Sequence, residues 1–61
     1  MREQLEKRIK ENYDDVIIWD EYEDKFSFYL RFTAAGDFYI AAINKNSDLI
    51  QILKEYRRIK L

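Results

Sequence analysis

The run Lys25-Phe26-Ser27-Phe28-Tyr29-Leu30-Arg31-Phe32-Thr33 alternates apolar and other residues over its whole length, and the chain's only glycine, Gly36, follows shortly after it. A period of two is the mark of a strand with one buried face, so Phe26, Phe28, Leu30 and Phe32 are expected to point into a core. A second apolar run, Phe38 to Ile43, begins just past the glycine. Read as a three-residue hairpin loop, Ala34-Ala35-Gly36 is a type I turn whose glycine takes the left-handed position. That loop pairs Thr33 with Asp37 and sets Phe32 opposite Phe38, Leu30 opposite Ile40 and Phe28 opposite Ala42. Turn chemistry and hydrophobic pattern then agree on one register.

Upstream, Val16-Ile17-Ile18-Trp19-Asp20-Glu21-Tyr22 is β-branched and aromatic and reads as another strand. A two-residue loop, Glu23-Asp24, pairs Tyr22 with Lys25 and sends Ile17 and Trp19 to the core face. The register one residue away would bury Asp20 without compensation. Residues 2 to 13 read as a helix, with Leu5, Ile9 and Tyr13 at a spacing of four and with Glu3/Lys7 and Glu6/Lys10 in the favourable i, i+4 order. Its apolar stripe is narrow, which suits loose docking at a core margin or completion by a second chain. At the other end, Asn44-Lys45-Asn46 breaks the pattern, Ser47 can cap a helix and Asp48 suits its first turn. Leu49, Ile52, Leu53, Tyr56 and Ile59 then form a broad stripe, and Lys54, Arg57, Arg58 and Lys60 complement the dipole at its end. The expected fold is α+β, one domain spanning 1–61: helix, three-stranded antiparallel sheet, helix (αβββα).

Sixty-one residues allow one small core, since a chain of this length buries only about 60% of its unfolded surface. The chain has no cysteine and no histidine, which removes disulfides, thiolate nucleophiles, imidazole bases and the usual zinc and haem ligands. So small a fold offers little room for a water-shielded carboxylate pair, and Asp20 to Arg31 fails as a calcium loop because Lys25 stands where glycine is required. Neither catalysis, a metal nor a cofactor is expected. The longest apolar run is too short to span a bilayer or to serve as a signal core, so the expected compartment is the cytoplasm, away from membranes.

Two features bear on function. Between Asp14 and Asp24 stand six acidic residues and no basic one, leaving the other six acidic residues against all eleven basic ones. The acidic hairpin Asp20, Glu21, Tyr22, Glu23 and Asp24 is the candidate protein-binding site, its carboxylates steering toward a basic surface on a larger protein while Tyr22 supplies contact area. The alternative is a solubilising turn that discourages edge pairing. The second feature is the sheet face opposite the phenylalanines. In the register above it shows Ile18, Tyr29, Arg31, Tyr39 and Ile43, along with Val16, Tyr22 and Ala41, too much apolar area to leave bare. Its cover is the first helix, a second copy or a foreign partner. Tyr29, Arg31 and Tyr39 would also stack bases, but the neighbouring strand is acidic, so nucleic acid ranks last among the partners.

The helix, three strands, helix order resembles that of double-stranded RNA-binding domains in architecture. Those domains begin their second helix with lysines, and here the position reads Asn46-Ser47-Asp48-Leu49-Ile50, so none of their binding residues carries over. Size, topology and charge segregation are also similar to those of small phage-encoded inhibitors of bacterial defence systems, which implies an inhibitor or adaptor. A self-associating homodimer module is the alternative reading, and an RNA-binding domain the lower one.

Overall fold

The computed structural model describes residues 1–55 and orders them as helix α1 (Arg2–Asn12) followed by strands β1 (Ile17–Glu23), β2 (Ser27–Ala34), β3 (Asp37–Asn44) and β4 (Ile50–Glu55). The strands form one antiparallel sheet in the order β1-β2-β3-β4, with each strand beside its neighbour in sequence. The domain is small and α+β as expected, but the expected αβββα order is overturned. Among the described residues, one helix and four strands stand in place of the expected helix, three strands and second helix.

The helix forms where its spacing places it. Leu5 and Ile9 are fully buried, and Glu6 pairs with Arg2 at 3.3 Å and with Lys10 at 3.4 Å, one turn away on either side. It ends at Tyr13, whose extended backbone still donates its N–H to Ile9 O. The narrow stripe is sufficient within one chain. Leu5 and Ile9 insert over Leu30, Phe32, Ala34, Ala41 and Ile43, with Tyr13, Val16, Ile18, Phe28, Tyr39, Ile50 and Ile52 around them.

The expected second helix is a strand in its described part. Ile50 and Ile52 alternate onto the core face and pair with Ile43 and Ala41, while Gln51 and Leu53 face outward beside Ala42 and Ile40. The spacing of Leu49, Ile52 and Leu53 fits a helix as well as Ile50 and Ile52 fit a strand, and the unpaired edge of β3 decides between them by supplying a ladder of backbone partners. The preceding loop is a turn and not a cap. Asn44 Oδ1 accepts the N–H groups of Asn46 and Ser47 at 2.9 and 3.0 Å, and Asp48 sits at φ 58°. Lys54 lies on β4 and meets Asp37 at 3.4 Å. Tyr56, Arg57, Arg58, Ile59 and Lys60 lie outside the described residues.

The β2–β3 hairpin exists, one residue out of the expected register. Ala34 pairs with Asp37, so the loop is the two-residue Ala35-Gly36, both at positive φ (51° and 83°), as in a primed turn. Phe32 therefore faces Tyr39, Leu30 faces Ala41 and Phe28 faces Ile43. Tyr39, Ala41 and Ile43 move under the helix, whereas Phe38, Ile40 and Ala42 go to the opposite face. An alanine in the left-handed region costs about 1–2 kcal/mol. The primed turn matches the twist of the strands and buries Ile43 fully, which outweighs that cost.

In β1 the faces before Asp20 are also reversed, whereas Asp20 and Tyr22 lie on the expected side. The register shifts between Ile18 and Asp20, an irregularity that leaves Trp19 as an extra residue. Ile18 then packs on the core while Ile17 and Trp19, expected inside, are 66% and 42% exposed. Asp20 stays out of the core, opposite Arg31.

Candidate functional site

The acidic hairpin is built around Asp24. Its Oδ1 accepts the N–H groups of Phe26 and Ser27, each at 2.8 Å, and its Oδ2 accepts the Tyr29 hydroxyl at 3.0 Å. The Asp24 N–H donates to Ser27 O at 3.0 Å, which closes the loop on itself. The β3–β4 loop then ties onto it. The Lys45 ammonium donates to Asp24 O at 2.6 Å and meets the Glu23 carboxylate at 2.7 Å, while the Lys45 N–H donates to Phe26 O at 2.9 Å. Two loops at the same end of the sheet thus form one hydrogen-bonded unit. Two large apolar side chains project from it: Phe26, 67% exposed, and Leu49, 70% exposed.

The remaining acidic residues do not form one patch. Asp14 and Asp15 lie between α1 and β1, at the opposite end of the sheet from Glu23 and Asp24. Asp20 lies 3.9 Å from the Arg31 guanidinium on the uncovered face, and Glu21 turns toward the helix and pairs with Arg2. Strand alternation is the cause, because successive acidic residues on β1 point to opposite faces and find different basic partners. Glu21 and Glu23 keep 52% and 62% of their side-chain surface exposed, so their field still reaches solvent.

The second expected surface is divided by the register. Ile18, Tyr39 and Ile43 belong to the helix side, Ile43 fully buried, whereas Tyr29 and Arg31 remain on the uncovered face. Arg31 reaches from β2 across β3 to Glu55 on β4 through two hydrogen bonds of 3.0 and 2.8 Å. The Trp19 ring lies 4.4 Å from its guanidinium carbon, and Phe38 meets Trp19 edge-on. Sequence reasoning missed Trp19, Phe26, Phe38 and Leu53 as surface residues. Trp19 and Phe38 turn outward because of the β-bulge and the left-handed alanine, neither of which has a reliable side-chain signature. Phe26 does so because Asp24 holds it in the loop, and Leu53 because β4 takes the place of the expected helix.

Asp24 yields a pH prediction. The N–H groups of Phe26 and Ser27, then Tyr29 and Lys45, hold its carboxyl below the usual carboxylate range. A carboxylate depressed in the folded chain contributes stability above its unfolded value, about 4, and loses that contribution as pH falls through the folded value. Asp24→Asn is therefore expected to lower the denaturation midpoint at neutral pH by a margin that shrinks below about pH 4. A margin that is constant with pH in parallel urea titrations would remove the carboxylate from this role.

Among the described residues, no helix is long and apolar enough to cross a membrane, and no group of three or more acidic side chains is placed to hold a metal ion. A comparison with protein families, with curated proteins and with solved structures finds no match for this chain.

Proposed function

We propose that this chain is a small cytoplasmic protein-binding module, an inhibitor or adaptor, that docks on a larger protein through the end of its β1–β2 hairpin. The observation that carries this reading is Phe26: an aromatic ring left 67% exposed on a loop fixed by hydrogen bonds to Asp24 and Lys45. Ordering an anchor costs binding energy, and an anchor ordered beforehand avoids that cost. Phe26 enters an apolar slot of the partner with Leu49 beside it, while Glu21 and Glu23 face a basic rim and speed encounter. Its role is binding, and nucleic acid remains the weaker alternative because these carboxylates repel phosphate.

The test is comparative capture. The tagged chain, its Phe26→Ser variant and a variant neutralised at Asp20, Glu21 and Glu23 are exposed to the same cell lysate, and the retained proteins are identified by mass spectrometry. Asp24 is kept, since it builds the loop. A partner held by the parent is expected to be lost by Phe26→Ser and to associate more slowly with the neutralised variant or at higher salt, because steering is screened within about 8 Å at physiological ionic strength. An RNA ligand would bind the neutralised variant more tightly. Identical capture by the parent and by Phe26→Ser would overturn the reading.

A further inference from the structure

The sheet face that α1 leaves uncovered carries a pattern of its own. Strand pairing lays its side chains in rows, and one row reads Tyr22, Tyr29, Ala42, Gln51 across β1, β2, β3 and β4. That row is lopsided. Tyr22 and Tyr29 stack with ring centroids 4.7 Å apart and 16° between planes, forming a raised pair in which Tyr22 is 46% exposed. On β3 and β4 the row falls to Ala42 and Gln51, which with Ser27, Asn44 and Leu49 line a depression of about 160 Å³.

We propose that this face packs against the same face of a second copy about a two-fold axis running along the strands, with the Tyr22–Tyr29 pair of each copy seated over the Ala42–Gln51 depression of the other. Such an axis reverses strand order across the interface and keeps the rows level. β1 then lies over the copy's β4, and β2 over its β3. Each large pair meets a small one twice, which is the self-complementarity that a two-fold contact demands. The geometry is the ordinary one for stacked sheets, about 10 Å apart with strands nearly aligned.

The charges on the face permit this packing. Arg31 is already held by Glu55 through two hydrogen bonds, with Trp19 against its guanidinium. The second carboxylate, Asp20, stands on the outer strand with 45% of its side chain exposed, so the buried charges are paired and the extra one stays at the rim. Pairing of copies through the outer edge of β1 is opposed instead, by the irregularity at Trp19, by the acidic side chains and by Asp20 Oδ1, which accepts the Glu21 N–H at 2.9 Å. Four strands spaced by about 4.8 Å, each of about seven residues rising about 3.3 Å, give a flat footprint on the order of 450 Å² per copy. That is small for a specific interface, so the dimer dissociates on dilution.

Sedimentation equilibrium of the full chain from micromolar to millimolar concentration tests this directly. The mass is expected to rise from 7.5 kDa toward twice that value. Tyr22→Ala, which removes the raised pair, and Gln51→Lys, which charges the depression, should each remain monomeric with an unchanged circular dichroism spectrum. Phe26→Ser should dimerise like the parent, which separates this face from the hairpin end. Because the chain has no cysteine, an Asp20→Cys and Leu53→Cys double variant, which keeps the tyrosine pair and the depression, should give linked pairs with a short bismaleimide. The axis sets Asp20 over Leu53 of the copy, and Asp20→Cys alone should not be linked. A parent that stays at 7.5 kDa throughout, self-association that survives both Tyr22→Ala and Gln51→Lys, or equal cross-linking by the single cysteine variant would each overturn the proposal.

Discussion

Ile43→Ala is expected to cost about 2–5 kcal/mol, whereas Ile40→Ala, three residues away on the same strand, should cost on the order of 1 kcal/mol. Ile43 is fully buried between the helix and the sheet, opposite Phe28 and Ile50. Truncation leaves a cavity whose walls are held by strand pairing on both sides, so little collapse can offset the lost contacts. Ile40 is half-buried on the uncovered face, and its shortened side chain is replaced by water. A domain of this size rarely draws more than about 3–5 kcal/mol from its core, so Ile43→Ala should leave much of the chain unfolded at room temperature. The contrast is also a register test. With Thr33 opposite Asp37 the two isoleucines would exchange roles, and urea denaturation at low micromolar concentration would find Ile40→Ala the more damaging change. Equal losses would contradict both registers.

That contrast marks where the sequence could be read and where it could not. The helix was legible because Leu5 and Ile9 have only one periodic interpretation and the charges around them agree with it. β2 was legible for the same reason, with Leu30 and Phe32 in the core as its alternation requires. In β3 both alternating sets, Phe38/Ile40/Ala42 and Tyr39/Ala41/Ile43, are apolar, so pattern alone cannot choose a face and the turn must do so. The turn misled because the left-handed position falls on Ala35 as well as Gly36, a conformation for which an alanine gives no warning. In β1 one extra residue at Trp19 flips everything before it, and no side-chain type marks that irregularity in advance. β4 was lost to a real ambiguity, since a short apolar run satisfies either period and tertiary pairing decides. The candidate site was affected in the same way. The acidic run is plain in the sequence, yet its division among two faces and a loop follows from the register, as does the exposure of Phe26.

Ile9→Ala should be the second severe change, at about 2–5 kcal/mol, and it should melt the sheet along with the helix. α1 is held to the sheet by two fully buried side chains, Leu5 and Ile9, with Tyr13 closing the end of the contact against Phe32 at 5.3 Å and Tyr39 at 4.7 Å. Removing one of the two buried anchors halves the apolar stripe. An isolated helix of eleven residues is too short to persist in water on its own propensity, so a helix that lets go also unwinds. Its departure would expose Leu30, Phe32, Ala41 and Ile43 together, a loss that a single sheet layer cannot survive. The two events should therefore be one. Trp19 makes this measurable, because it lies on the face away from the helix and reports the sheet, while far-ultraviolet circular dichroism near 222 nm is weighted toward the helix. In thermal melts of Ile9→Ala the fluorescence and dichroism transitions should move down together and coincide, as they do in a two-state domain. A helix signal that disappears while Trp19 keeps its native emission would instead show a sheet stable without α1, and the uncovered face would then have to carry more of the folding energy than one helix on one sheet implies.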